Sequence, residues 1–172
     1  MKPLAELVAD VEAARAWVLA AVDGLPASLA AWKPAPNEWS VVEILEHLVL
    51  AEHSGVEKIY RAIEAPAAAI ETNPNRGLPI ETIIERTWKP REHAPPIATP
   101  QGGGTSTYWV ACFRACSHVL AALTVELRGK PLESIMFPHF LCGPLDARQR
   151  LEFLRFHMDR HLAQIQSVLI QR

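Results

Sequence analysis

Apolar residues recur at alternating three- and four-residue steps over four long stretches of this chain, the period of helices with one face turned to a core. The first stretch runs from Leu4 to Val22, with Leu4, Leu7, Val8, Val11, Ala14, Val18 and Ala21 on one stripe. Pro3 suits its first turn, and Gly24 and Pro26 mark its end. The second begins at Ser40 and Glu43, which have the spacing of a reciprocal capping box. Val41, Ile44, Leu48, Ala51, Gly55, Ile59 and Ile63 then follow at helical steps, and Pro66 closes the element. The third covers Thr105 to Leu127, with Trp109, Phe113, Cys116, Leu120, Leu123 and Leu127 as its seam. The fourth is capped by Asp146, has Gln149 at its third position, and runs to Ile170 along Leu151, Leu154, Met158, Ile165 and Val168.

No stretch alternates as a strand does, and no segment repeats. The pattern therefore predicts an all-α fold, a four-helix bundle forming one domain over residues 1–172. Residues 66–104 are the irregular part and hold seven of the 14 prolines. That Pro-rich connection between the second and third helices is longer than two antiparallel neighbours need, so it crosses the bundle end or covers a pocket. A short helical piece is predicted over Ile80 to Trp88. Gly102-Gly103-Gly104-Thr105 has the composition of a phosphate cradle. It lacks the preceding strand and the GKS/GKT ending, and is read as a loop.

Composition narrows the function. A formal net charge of -2 provides no basic surface for nucleic acid. Three cysteines cannot all pair with one another and form no CxxC motif, which suits a reduced, cytoplasmic setting. The N-terminus is acidic and amphipathic rather than basic and apolar, so no signal peptide is expected. No uninterrupted apolar run approaches spanning length, and no membrane segment is expected.

Candidate chemistry lies on the last helix. The steps that carry its seam also pass through His161, and His157 stands one turn earlier. Residues four apart on a helix have Cβ atoms about 5–6 Å apart, so both imidazoles can point at one spot. Such a pair can hold a transition metal if a facing helix adds a ligand. His47, among apolar neighbours on the second helix, is the natural third. Three neutral imidazoles suit Zn²⁺, Ni²⁺ or Fe²⁺ and leave at least one position open. The competing reading is a set of core and surface histidines without a metal. His53 and His118 fall off the buried faces and are expected in solvent. The imidazoles would need outer hydrogen-bond acceptors, which the sequence does not identify.

The block Pro36-Asn37-Glu38-Trp39-Ser40-Val41-Val42-Glu43-Ile44-Leu45-Glu46-His47-Leu48 resembles the DinB/YfiT-like superfamily, and its DinB-like branch most of all. So do Gly143-Pro144-Leu145-Asp146 and Phe156-His157-Met158-Asp159-Arg160-His161-Leu162-Ala163-Gln164-Ile165. The resemblance covers both ends of the chain in order and fades across residues 66–104. It implies a four-helix bundle, a divalent metal on His47, His157 and His161, and a homodimer acting on a small-molecule substrate. It also implies one of two activities. One is transfer or isomerisation dependent on a low-molecular-weight thiol such as bacillithiol or mycothiol; the other is metal-dependent hydrolysis. A non-catalytic metal- or ligand-binding stress-response protein is the third reading. Hydrolysis usually wants a carboxylate base, and Glu52, five residues beyond His47, is turned off that face. That favours thiol S-transfer. One departure concerns the loop before the last helix, where relatives often carry His-Pro and this chain has Pro138-His139. His139 is thus either a pocket group or a loop histidine bonded to backbone. Cys142 is a candidate thiol with nothing in sequence to activate it.

Overall fold

The computed structural model describes residues 2–64, 73–88 and 94–172. Its helices are α1 (Leu4–Val22), α2 (Ala27–Ala30), α3 (Val41–Glu64), α4 (Ile80–Thr87), α5 (Ser106–Leu127) and α6 (Ala147–Ile170). The four long ones, α1, α3, α5 and α6, form the predicted four-helix bundle, and α4 is the expected short piece. The expected stop at Pro66 lies outside the described residues.

The caps explain where the helices start. Glu43 N–H donates to Ser40 Oγ at 3.2 Å while Ser40 N–H donates to Glu43 Oε2 at 2.8 Å. Asp146 and Gln149 form the same reciprocal box at the head of α6. Thr105 Oγ1 takes the Tyr108 N–H at 3.2 Å ahead of α5. Each such cap stabilises its helix by about 1 kcal/mol.

The bundle packs α1 on α6 and α3 on α5 most extensively, and α3 also meets α6. Val11, Val18, Ile44, Leu45, Ile59, Phe113, Leu123, Leu151 and Ile165 are fully covered at its centre. Each contributes about 1.5–3 kcal/mol by leaving water. By length and composition α5 alone among the described helices could cross a membrane; here its seam of Phe113, Cys116, Leu120, Leu123 and Leu127 belongs to this core.

Two charged residues enter the core as a pair. Arg15 of α1 and Glu52 of α3, each 2% exposed, meet through Nη1–Oε2 (2.8 Å) and Nη2–Oε1 (2.7 Å). Arg15 Nη1 also donates to the Phe113 carbonyl at 3.2 Å, with its guanidinium 5.0 Å from that ring's centre.

The sequence pattern predicted no strand, and here the structure differs. β1 (Met136–His139) and β2 (Gly143–Asp146) form an antiparallel hairpin, with Phe137 opposite Leu145 and Pro138 opposite Pro144. Strands of four residues are too short to display alternation, and a proline in each removes the usual strand signature. The three turn residues, Phe140 to Cys142, lead into Gly143 at the start of β2, whose φ of +69° favours glycine.

Within the Pro-rich connection, residues 73–88 dock onto α6 and the hairpin. The Asn75 side chain donates to the carbonyls of Cys142 (2.7 Å) and Pro144 (2.9 Å). Gln149 Nε2 donates back to the carbonyls of Asn75 (2.5 Å) and Leu78 (3.1 Å). Ile80, Ile83 and Ile84 of α4 then pack with Cys142, Leu145 and Phe153. Farther on, a single turn at Pro96–Ala98 lies against α3.

Candidate metal centre

Regular helix geometry brings three buried imidazoles together. His157 and His161 stand one turn apart on α6, and His47 faces them from α3. His157 Nε2 lies 3.0 Å from His47 Nε2 and 3.1 Å from His161 Nε2. The ring centres are 4.5–4.9 Å apart.

Outer partners fix two of the tautomers. His47 Nδ1 donates to the Ala98 carbonyl at 2.6 Å, and His161 Nδ1 donates to Gln164 Oε1 at 2.8 Å. A carbonyl oxygen only accepts, so the proton of each ring sits on Nδ1 and the Nε2 lone pair points inward. His157 Nε2 carries at most one proton and faces both of those lone pairs. At least one contact therefore sets lone pair against lone pair, which a cation between them resolves. Burial drives all three basicities down: His161 is pushed to about 3, with His47 adding to the effect, and His157 falls well below the ordinary 6.5. His47 is also lowered by burial, partly offset by its bond to Ala98. Neutral, inward-facing nitrogens are what a divalent transition metal requires, so the donor set fits one.

The same burial makes the metal-free fold acid-sensitive. The unfolded chain takes up protons as pH falls through about 6.5, whereas folded His161 does so only near 3. Stability from keeping this ring neutral is complete above 6.5 and lost progressively toward 3, by up to about 1.4 kcal/mol per pH unit. Urea midpoints of metal-free protein are therefore expected to be lower at pH 5.5 than at pH 7.5; equal midpoints would contradict a buried neutral triad.

Aromatic rings wall the site. Trp39 lies 4.8 Å from His47 and 6.3 Å from His161, and Phe153 stacks on His157 at 5.5 Å. No carboxylate joins the three imidazoles among the described residues. The two buried glutamates of α3 are engaged elsewhere, Glu52 with Arg15 and Glu46 through Oε1 with the N–H groups of Gln101 (2.9 Å) and Gly102 (3.0 Å). The glycine tract is thus held by a carboxylate, and its phosphate-cradle reading falls away.

His53 and His118 are exposed, as their faces predict. His139 sits in the hairpin with Nδ1 accepting from the N–H groups of Leu141 (3.2 Å) and Cys142 (3.1 Å). Its ring lies 4.4 Å from that of Phe153, which in turn stacks on His157. Cys142 is buried, and burial raises its pKa, so it is not an activated thiol. Sequence reasoning missed Gln164, Ala98, Glu46 and Trp39. Gln164 was accessible in principle, three residues beyond His161 on one helix. Ala98 arrives from an irregular segment through its backbone and leaves no signature.

Comparison with known proteins agrees with this architecture. The family model of the DinB superfamily matches residues 10–165. The uncharacterised protein YuaE of Bacillus subtilis (strain 168) is 26% identical over 139 residues, covering 79% of this chain and 80% of its own. The crystal structure of TT2238, a four-helix bundle protein, superposes with a TM-score of 0.63 at 16% identity, over 96% of this chain and 99% of that one.

Proposed function

We propose, since this chain belongs to the DinB superfamily, that it is a metal-dependent enzyme joining a low-molecular-weight thiol to a small electrophile. His47, His157 and His161 are the residues that would hold the cation. When bound, such a cation supplies Lewis acidity, which favours the thiolate form of a nearby thiol at neutral pH. Ala98 and Gln164 keep the imidazoles oriented, and Trp39 and Phe153 exclude water around them. The observation that carries S-transfer over hydrolysis is the lack of a carboxylate beside the imidazoles among the described residues. A water nucleophile usually needs a base there, whereas a thiolate does not.

The reading includes a homodimer. It is supported by the outward side of α5, where Tyr108, Val119 and Val125 are exposed, and sedimentation reads it directly. The activity is tested by measuring metal content, then thiol conjugation of 1-chloro-2,4-dinitrobenzene with and without chelator. Conjugation that disappears with chelator and returns with metal is the expected result. Metal without conjugation by any thiol, together with chelator-sensitive ester cleavage, would replace this reading with a hydrolase.

A further inference from the structure

Three arginines are buried among the described residues, and one of them stands apart. Arg15 holds Glu52, and Arg148 holds Glu152 at 2.7 Å. Arg150, only 4% exposed, has no carboxylate partner among the described residues, and its Nε is buried without any hydrogen-bond acceptor. Its guanidinium carbon lies 4.6 Å from the centre of the Phe137 ring and 5.7 Å from that of Phe153. Aromatic faces attract a cation but accept none of its in-plane N–H bonds.

The surroundings add positive charge. Arg150 depresses the basicity of both half-buried Lys58 on α3 and His139 on β1, burial being the larger cause in each. This cluster is not remote from the imidazoles. Arg150, Phe153, His157 and His161 follow one another along a single face of α6, and Phe153 touches both groups. At 1.5 Å per residue, Arg150 lies about 10 Å along the helix from His157.

We infer that Arg150 binds the carboxylate of a small organic anion whose other end reaches the three imidazoles. A flat, singly charged carboxylate matches one planar guanidinium set against aromatic rings. The placement of the far end rests on the metal-dependent reading above; the anion site itself does not. The carboxylate belongs either to the thiol or to the electrophile.

The test is calorimetric titration of Zn²⁺-loaded and metal-free protein with 8-mercaptooctanoate, its methyl ester, and octanoate. Arg150→Met keeps the apolar stem. It is expected to weaken both acids about tenfold or more while leaving the ester within about twofold. Arg150→Lys keeps the charge but not the fork and should retain part of the affinity. On Zn²⁺-loaded protein, mercapto acid tighter than octanoate assigns the carboxylate to the thiol; equal affinities assign it to the electrophile; both uphold the site. If the protein holds no metal, octanoate must still bind in an Arg150-dependent way, so the two readings fail separately. Acids binding no tighter than the ester, no acid binding at millimolar concentration, or Arg150→Met affecting all three ligands alike would overturn the inference.

Discussion

His161→Ala is expected to abolish stoichiometric metal binding, leaving less than about a tenth of the wild-type content in purified protein. Removing an outer hydrogen-bond partner alone costs about 10–100-fold in metal affinity, and losing a coordinating nitrogen costs more. His161 presents its inward nitrogen to the site between Gln164 on its outer side and His157 on its inner side. Gln164→Ala should therefore give an intermediate loss, by freeing the tautomer without removing the donor. His118→Ala, at an exposed position, should leave metal content unchanged. Elemental analysis of the three variants, each checked for helical content, decides the matter. Stoichiometric metal in His161→Ala would remove the basis for a three-histidine centre and for the enzymatic reading built on it.

Glu52→Ala is expected to destabilise the fold by about 3–5 kcal/mol, the range for stranding one member of a buried ion pair. The alanine leaves the Arg15 guanidinium at 2% exposure with only the Phe113 carbonyl and the partly exposed Glu12 to receive it. Arg15→Ala should cost a similar amount, for the mirror reason. The double replacement Arg15→Met with Glu52→Leu should recover most of the loss, because neither charge then has to leave water. Urea unfolding at pH 7 measures all of these. A loss below about 1 kcal/mol for Glu52→Ala would mean that water reaches the pair, and that the α1–α3 seam is less dry than the packing shows.

Much of this was legible from periodicity. The four helices, their polar caps and the shared face of His157 and His161 follow from 3.6-residue geometry, which is local and therefore written into spacing. The Arg15–Glu52 pair was not read from the sequence, although both residues leave a trace there. Arg15 falls in step with Val11, Val18 and Val22, and Glu52 with Leu48, Val56 and Ile59, so each is a charge on an apolar seam. Two such anomalies of opposite sign point to a pair. The hairpin was not legible, because eight residues with two prolines give alternation no room to show. Nor was the Ala98 contact, since a backbone carbonyl brought in by an irregular segment has no residue preference.

Glu46 and His47 are adjacent on α3, and both reach into the same short piece of the Pro-rich connection. Glu46 grips the amides of Gln101 and Gly102, and His47 Nδ1–H donates to the Ala98 carbonyl. For any ion held by the triad, seating this strap and gripping the ion are thus coupled through His47. Whatever lifts the strap loosens the ion by the same free energy, and loading the ion fastens the strap in return.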